Sequence, residues 1–530
     1  MASTQPAREK TGVVAAYLRA VAAQSGAAPA TYPPPRGKRY PGSRRWPLRW
    51  PGPGAPPLGP AGVDRLSALL LGYAPRRLEL ITNAAFAAMS GKPAASPEQA
   101  RMLPAWFTSR RAVPSGGAFH AAELYVVWAG TAELPAGVYH HDPVHHALEL
   151  LRPGDPGAAL DRLLGAAGPE PRHALVVTCR VFKNAGKYRA FGYQLAMMDS
   201  GVLLGQLAGS PLAGPLHLAA DPRTAEDLLG LAGELETVVA VVELPVSRCG
   251  GGAGVSPPPS DAVPPTPVGL DGDRHNLAAA DPAVTALHRA VRAGARPVPR
   301  GPSTDAVAPP TPAGSGPSPS AGSPSVALPP PAAPSRAAAA HRASANDLAP
   351  GLTVAQLAGI LAYAGGRRPG GALAELTGHP HHPALWCLVS RVDGLAPGAY
   401  RYDRDRHLLC PSTAHDGAPG RVHNPLDAAM STAGASLFVV AEGQPPIDRL
   451  DPLALRDLYL RTGAAVQLAA LAAQTVGAAT RPMGGFGVGA ATALLGLPAG
   501  AVPLLQLLVG VPRPRAGSLA VAFTEGSADA

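Results

Sequence analysis

The residues best suited to meet a ligand lie in one run, Ser109-Arg110-Arg111-Ala-Val-Pro114-Ser115-Gly116-Gly117-Ala-Phe119-His120. Glycines after Pro-Ser let the backbone approach a flat ligand closely, with N–H groups turned towards it. Two groups of histidines, His140, His141, His145 and His146 and then His379, His381 and His382, have types that can hold a metal. Both groups fall in hairpins or beside them and read as turn-exposed side chains, so no metal is expected. Cys179, Cys249, Cys387 and Cys410 are widely spaced and form no Cys-x-x-Cys pair, so neither a zinc site nor a disulfide framework is indicated. No Ser-His-Asp arrangement and no paired carboxylates stand out.

The elements that must position the Pro-Ser-Gly-Gly turn occur twice. His120-Ala-Ala-Glu-Leu-Tyr125 aligns with His381-His-Pro-Ala-Leu-Trp386, Leu134-Pro-Ala-Gly137-Val-Tyr139 with Leu395-Ala-Pro-Gly398-Ala-Tyr400, and His146-Ala-Leu148 with His407-Leu-Leu409. Every pair is 261 positions apart. Constant register over such a stretch means a duplicated domain. Each copy reads as a strand (Leu124 to Trp128; Leu385 to Val389), a glycine turn and a second strand. A further strand (Ala174 to Cys179; Ala435 to Ala441) and a long helix follow. In the first copy Leu195, Met198, Val202 and Leu203 share one helix face; in the second, Leu458 to Val476 is apolar almost throughout and reads as buried on several sides. Strands grouped apart from helices argue an α+β class.

A chain of 530 residues with 63 Pro and 61 Gly is too long for one core, and part of it must be linker. Residues 250–336 have the Pro/Gly/Ser/Ala composition of one, with a short amphipathic piece, Ala283 to Ala293, inside it. That leaves domains at 1–249 and 337–530. The net charge of +9 reads first as a composition that favours Arg over Lys and acids, and otherwise as fitting an anionic cofactor or an acidic peptide. Nucleic acid is excluded by the lack of any run of five Lys/Arg interleaved with aromatics. The polar start, Met1 to Lys10, has no signal-peptide core behind it, so a cytoplasmic location is expected. Gly484 to Pro512 carries no charge and has the length of a membrane span. Pro498 and Pro503 interrupt it, so a buried helix, a turn and a buried strand (Val502 to Val511) are predicted instead, with no membrane partner.

Taken together, the Pro-Ser-Gly-Gly run, Leu134-Pro-Ala-Gly137-Val-Tyr139-His-His-Asp142, Lys187-Tyr188-Arg-Ala-Phe-Gly-Tyr193 and Arg481-Pro-Met-Gly484-Gly485-Phe486 resemble the nitroreductase superfamily. The closer likeness is to its SagB-like branch, the flavin dehydrogenases of thiazole- and oxazole-containing peptides. The resemblance covers both copies, but not the N-terminal arm or the linker. It implies tandem nitroreductase-like domains, antiparallel sheets with flanking helices, forming an intramolecular pseudo-dimer that can dimerise further.

Superfamily members hold FMN at a dimer interface. Here the resemblance implies one composite FMN site, because the losses are complementary. The second copy has Glu375-Leu376 where the first has Pro114-Ser115, and the first has Leu218-Ala219-Ala220 where the second has Gly484-Gly485-Phe486. The first copy would give Arg110, Arg111, Pro114, Ser115, Gly116, Gly117 and His120. The second would give Arg342 and Ser344, from His341-Arg342-Ala-Ser344-Ala-Asn346, with Gly484, Gly485 and Phe486. Asn346 departs from the family's final Arg, and Arg513 and Arg515 can replace that cation, since guanidinium pairs well with phosphate.

In azoline dehydrogenases a Lys-Tyr pair ahead of the Gly-Tyr helix is associated with catalysis, which implies that role for Lys187 and Tyr188. The second copy has Arg449-Leu450 there. Aromatising an azoline removes a hydride and a proton, and a lysine whose pKa is lowered in an apolar pocket can take the proton. Three functions stay open. One is an FMN-dependent azoline dehydrogenase acting on a modified precursor peptide beside a cyclodehydratase. The others are an NAD(P)H-dependent nitro- or enone-reducing flavoenzyme, and a degenerate scaffold pseudoenzyme.

Overall fold

A computed structural model of the chain describes residues 5–24, 36–50, 58–59, 62–81, 106–164, 173–218, 221–244, 265–294, 325–331, 342, 344–345, 348–367, 375–376, 382–412, 433–443, 445–513 and 519–522. Two antiparallel sheets share one strand order. The first runs Arg45–Pro47, Ala147–Pro153, Gly137–Asp142, Ala122–Trp128, His173–Arg180, Glu236–Leu244, Leu216–His217. The second runs Val326–Ala327, Leu408–Pro411, Gly398–Asp403, Ala384–Val389, Ala435–Ala441, Val502–Pro512, Leu348–Ala349, with Ala479–Met483 also paired to Val502–Pro512. The repeat extends to side chains: the Tyr139 hydroxyl donates to the Pro135 carbonyl at 2.7 Å, and Tyr400 to Ala396 at 2.8 Å. His146 and His407, 261 positions apart, both turn through positive φ.

Between the sheets lie two long helices, Phe191–Ala208 and Pro452–Thr475. The first was predicted to bury one face, yet every residue from Gly192 to Ala208 is buried. A sheet covers one side and the partner helix the other. Where they cross, a Cβ on Gly201 would overlap the Leu460 carbonyl, and a Cβ on Gly463 would overlap that of Met198. Gly201 and Gly463 are 262 positions apart, as are Met198 and Leu460, so the contact is the same from both sides. This is the signature of a two-fold axis inside one chain. Leu203, Leu204, Leu207, Leu460, Val466 and Leu468 are buried around it, each contributing roughly 1.5–3 kcal/mol by leaving water.

Within the stretch read as linker, the amphipathic piece folds on the first copy, and one further helix, not expected from composition, precedes it. Helices Asp271–Ala278 and Pro282–Ala293 pack there, and the second contains the amphipathic piece, with Val284, Leu287 and Val291 buried. Buried Arg180 holds Asp273 at 2.7 Å, the Asn276 amide donates to the Phe182 carbonyl at 2.9 Å, and Arg292 pairs with Glu226 at 2.6 Å. Composition missed this because the fixing groups are polar and their partners, Arg180, Phe182 and Glu226, are distant in the sequence. The uncharged stretch Gly484–Pro512 forms helix Val488–Leu495 and then strand Val502–Pro512; the strand is buried as predicted, whereas the helix buries only Ala491 and Leu495 and leaves Val488 exposed, which corrects the reading of a buried helix. No helix among the described residues is long and apolar enough to cross a membrane. Finally, Leu519–Ala522 leaves the second copy and pairs with Pro75–Ile81 of the first, beside Trp106–Arg111.

Candidate functional site

Strand Trp106–Arg111 delivers the chain to the Pro114–Gly117 turn. Ser115 Oγ donates to Asp199 Oδ2 at 2.6 Å and accepts from the His120 amide at 2.8 Å, while the Gly116 amide donates to Asp199 Oδ1 at 3.1 Å. The Ala118 and Phe119 amides bond to the Ser115 and Gly116 carbonyls. The expectation that these amides face a ligand is therefore corrected: four of them close the turn on itself and on Asp199. What the glycines supply is a bare surface and positive φ (65° at Gly117), alongside strained Ala118 and His120 at 60° and 52°. Such non-glycine backbone costs on the order of 1–3 kcal/mol and persists where surroundings enforce it.

Asp199 was not found from the sequence. Its signal was there, since it is the single charged residue in helix Phe191–Ala208. Burial pushes its carboxyl up to about 6, against the pull of Ser115 and Gly116. Asn184 reaches it at 3.4 Å, and neighbouring Lys183, lowered by burial and by Arg180 to about 7, donates to the His120 carbonyl at 2.8 Å. Lys183-Asn184 thus grips both ends of the turn.

The short helix Ala185–Tyr188 follows directly. A Cβ on Gly117 would come to 3.0 Å from the Tyr188 hydroxyl, and Lys187 Nζ stands 5.7 Å from the Phe119 ring and 5.2 Å from that of Tyr188. Lys187 and Tyr188 therefore flank the Pro-Ser-Gly-Gly turn. The next residue, Arg189, has φ 50° and ψ −131°.

The second copy reaches the same place. Side chains of the first central helix separate the two glycine turns: a Cβ on Gly116 would meet Leu195 Cδ1 at 3.3 Å, and one on Gly484 would meet Leu195 Cδ2 and Phe191 Cζ at 3.4 Å each. Ser344 bridges Thr480, and the Ala345 amide donates to the Thr480 carbonyl at 3.0 Å, so the strand leading to Gly484 also carries this segment. Arg342 is buried with its guanidinium 3.4 Å from Ser344 Oγ. Arg513 follows strand Val502–Pro512, which pairs with Ala479–Met483, and is exposed. Gly485 is exposed, whereas the Phe486 ring turns away and packs 5.7 Å from Phe438 in the second copy's outer core. Arg111 lies over the Tyr73 ring at 4.5 Å, and Arg110 acts electrostatically on His120. Burial, reinforced by Arg111, holds His120 well below the usual histidine range, and its Nδ1 is buried without a hydrogen bond. His341, Asn346 and Arg515 lie outside the described residues.

The opposite corner is filled. Buried Arg461 donates to the Glu375 and Leu376 carbonyls, and Arg456 donates to the Leu218 carbonyl at 2.9 Å and to Asp457 at 2.7 Å. Ala219 and Ala220 lie outside the described residues.

The histidines read as turn-exposed are mostly buried, which corrects that reading. His140 sits between Glu149 at 2.9 Å and Glu123 at 3.3 Å, and His146 is 2.8 Å from Ser67 Oγ with its pKa lowered by burial to about 4. His141 is buried as well, while His145 is half exposed. The acids that hold His140 come from the two strands beside its own, beyond local reading. His379 and His381 lie outside the described residues, and no cluster able to hold a metal occurs among those described.

No family model matches the chain. It is 36% identical over 101 residues to the trifolitoxin-processing protein TfxB of Rhizobium leguminosarum bv. trifolii, a match that spans 17% of this chain and 26% of that protein. A crystal structure from Anabaena variabilis described as a nitroreductase superposes with a TM-score of 0.66 at 18% identity, over 95% of this chain and 100% of that one. One from Ralstonia eutropha gives 0.29 at 19% identity, over 36% of this chain and 90% of that one. Duplicated sheets of one order, central helices related by an internal two-fold and the full-length superposition establish the architecture: the chain is a tandem nitroreductase fold, two copies joined as a pseudo-dimer.

Proposed function

We propose that this protein is an FMN-dependent dehydrogenase that oxidises azoline rings to azoles in a ribosomally made precursor peptide, alongside a cyclodehydratase. The observation that carries the reading is the approach of two glycine turns, one from each copy, to Leu195 beside Lys187 and Tyr188, with the opposite corner closed by arginines. A ring system needs such bare backbone on both sides. Gly116, Gly117, Gly484 and Gly485 would border FMN, and Arg342, Ser344 and Arg513 would hold its phosphate through charge-assisted hydrogen bonds. When bound, FMN supplies the acceptor for the hydride leaving the azoline.

Lys187 would take the proton lost from the same ring, and the Tyr188 hydroxyl, close to Gly117, would orient the substrate. A positioned base of this kind is worth roughly 10²- to 10⁴-fold in rate. The likeness to a trifolitoxin-processing protein favours a peptide over a free small molecule as substrate. Incubating the purified protein with a cyclised precursor peptide and weighing the product tests this. Loss of two hydrogens per ring is expected. An unchanged mass with a protein that binds and cycles flavin, or a protein that binds none, overturns it.

A further inference from the structure

A cavity of about 590 Å³ adjoins the Lys187–Tyr188 turn, within the range of sites that bind small ligands. The turn lines it through Ala185, Gly186, Arg189 and Ala190, while Lys187 and Tyr188 direct their side chains towards Phe119 and Gly117. Its other walls come from outside the repeated units: the end of the N-terminal helix, Gln5–Ala22, with Ala23 and Gln24, and the helices Asp271–Ala278 and Pro282–Ala293. The arm and the linker helices thus meet at one edge of the candidate catalytic turn.

They are fastened to it. The Tyr17 hydroxyl donates to the Ala190 carbonyl at 3.3 Å. In the orientation that satisfies its carboxamide, Gln24 accepts from the Ala190 amide at 2.6 Å and donates to the Tyr188 carbonyl at 3.3 Å. Asn276, on the cavity wall, is anchored to Phe182. Between these two contacts the backbone passes through the strained Arg189.

The lining selects the occupant's chemistry. Ala23, Ala185, Gly186, Ala190, Ala279 and Ala280 make a low, apolar wall, with polar side chains at Gln24, His275 and Asn276. A nucleotide diphosphate would seek a helix N-terminus and cations. The N-terminus that opens here, that of Pro282–Ala293, is already capped by the Asp281 carboxylate, which accepts from the Ala283 amide at 2.8 Å. An acid at that point repels phosphate, and the lining carries one basic and one acidic side chain, Arg189 and Asp281, so it offers no excess of positive charge. An uncharged polyamide meets neither obstacle.

We propose that this cavity docks an extended, uncharged stretch of the peptide substrate next to its reacting ring, so that the arm and the linker helices give the enzyme its preference for peptides. The proposal rests on the peptide-oxidising reading above. The test uses the flavin-loaded full chain and the variants Ala23→Trp and Ala279→Trp, at exposed wall positions where an indole can enter the cavity without disturbing the core. One probe is a Gly/Ser hexapeptide bearing a single thiazoline; the other is a lone thiazoline amino acid capped at both ends.

The expected result is a KM for the hexapeptide raised roughly tenfold or more with kcat unchanged, and unaltered kinetics for the lone ring. An unchanged hexapeptide KM in both variants overturns the proposal. So does an equal loss for both probes, which would mean that the indole merely distorts the turn. If the wild type oxidises neither probe, the functional reading falls, and the cavity is then judged by fluorescence anisotropy of the labelled hexapeptide. Binding to the wild type that weakens in Ala279→Trp supports docking; equal binding, or none, overturns it.

Discussion

The two corners of the pseudo-dimer have one backbone plan and opposite chemistry. Asp199 of the first central helix and Arg461 of the second are 262 positions apart, and each binds the turn that precedes its own sheet. Asp199 accepts from an amide and a hydroxyl of Pro114–Gly117; Arg461 donates to the carbonyls of Glu375 and Leu376. Leu195, where the glycine turns approach each other, corresponds to Asp457, which is tied to Arg456. Duplication preserved the backbone of both corners, and a handful of side chains set their chemistry apart. At one corner an acid holds the first copy's glycine turn and a leucine touches the glycine turns of both copies; at the other, two arginines and an acid take up the matching positions with their own hydrogen bonds.

The sharpest way to break this comparison is at Lys187 and Tyr188, the pair proposed to be catalytic. Lys187→Ala should lower ring oxidation by roughly 10²- to 10⁴-fold with flavin content intact, while Arg449→Ala, at the matching place in the second copy, should leave the rate unchanged. Equal losses would mean that the corners are not functionally distinct. Next comes the axis that relates them. Gly201→Ala drives a methyl into the Leu460 carbonyl and Gly463→Ala drives one into that of Met198. Backbone cannot swing aside as a side chain can, so each should cost at least ~1–3 kcal/mol in urea unfolding, and the two costs should match. A large inequality would show that the two-fold is broken at its centre.

The repeat was legible because hairpins are local: a constant offset of 261 follows from identical strand and turn lengths, and the glycine and tyrosine positions that make those turns are visible one residue at a time. The approach of Gly116 and Gly484 was inferred from complementary losses. The pairing Asp199–Ser115 was hidden because its members are 84 positions apart. Helix Phe191–Ala208 was misread as one-faced because periodicity cannot announce a second helix against its back. His140 was misread for a related reason, its acids lying on Ala122–Trp128 and Ala147–Pro153. Local pattern fixed the elements, while long-range polar pairs defined the corners.

A smaller effect should separate the corners by their polar anchors. Asp199→Ala strips acceptors from Ser115 Oγ and the Gly116 amide, and Arg461→Ala strips the donor from the Glu375 carbonyl and from the buried Leu376 carbonyl. Both should lose roughly 1–3 kcal/mol of stability. Flavin affinity, read by fluorescence titration, should fall about tenfold in Asp199→Ala only, since 1.4 kcal/mol at that turn is about a factor of ten.

The mildest probe is the proton itself. Burial raises Asp199 from 3.8 to about 6 in the fold, so as pH falls from 6 towards 4 the folded chain takes up this proton before the unfolded one does. That uptake favours the folded state, and the group's stabilising contribution is lost only as pH rises through about 6. What acid removes is acceptor strength: a neutral carboxyl holds the Ser115 hydroxyl and the Gly116 amide less well than a carboxylate, by ~1 kcal/mol. Flavin affinity should therefore decline about fivefold below an apparent pKa near 6, with no fall in the thermal midpoint caused by this group. Asp199→Asn should abolish that inflection. Lys183, lowered to about 7, titrates in a different window: its contribution is full above about 10.5 and is lost as pH falls through 7. At the opposite corner Arg461 keeps its charge throughout, so Arg461→Lys should leave the profile unmoved. An inflection that survives Asp199→Asn would assign the titration elsewhere and remove Asp199 from its place as anchor of the Pro114–Gly117 turn.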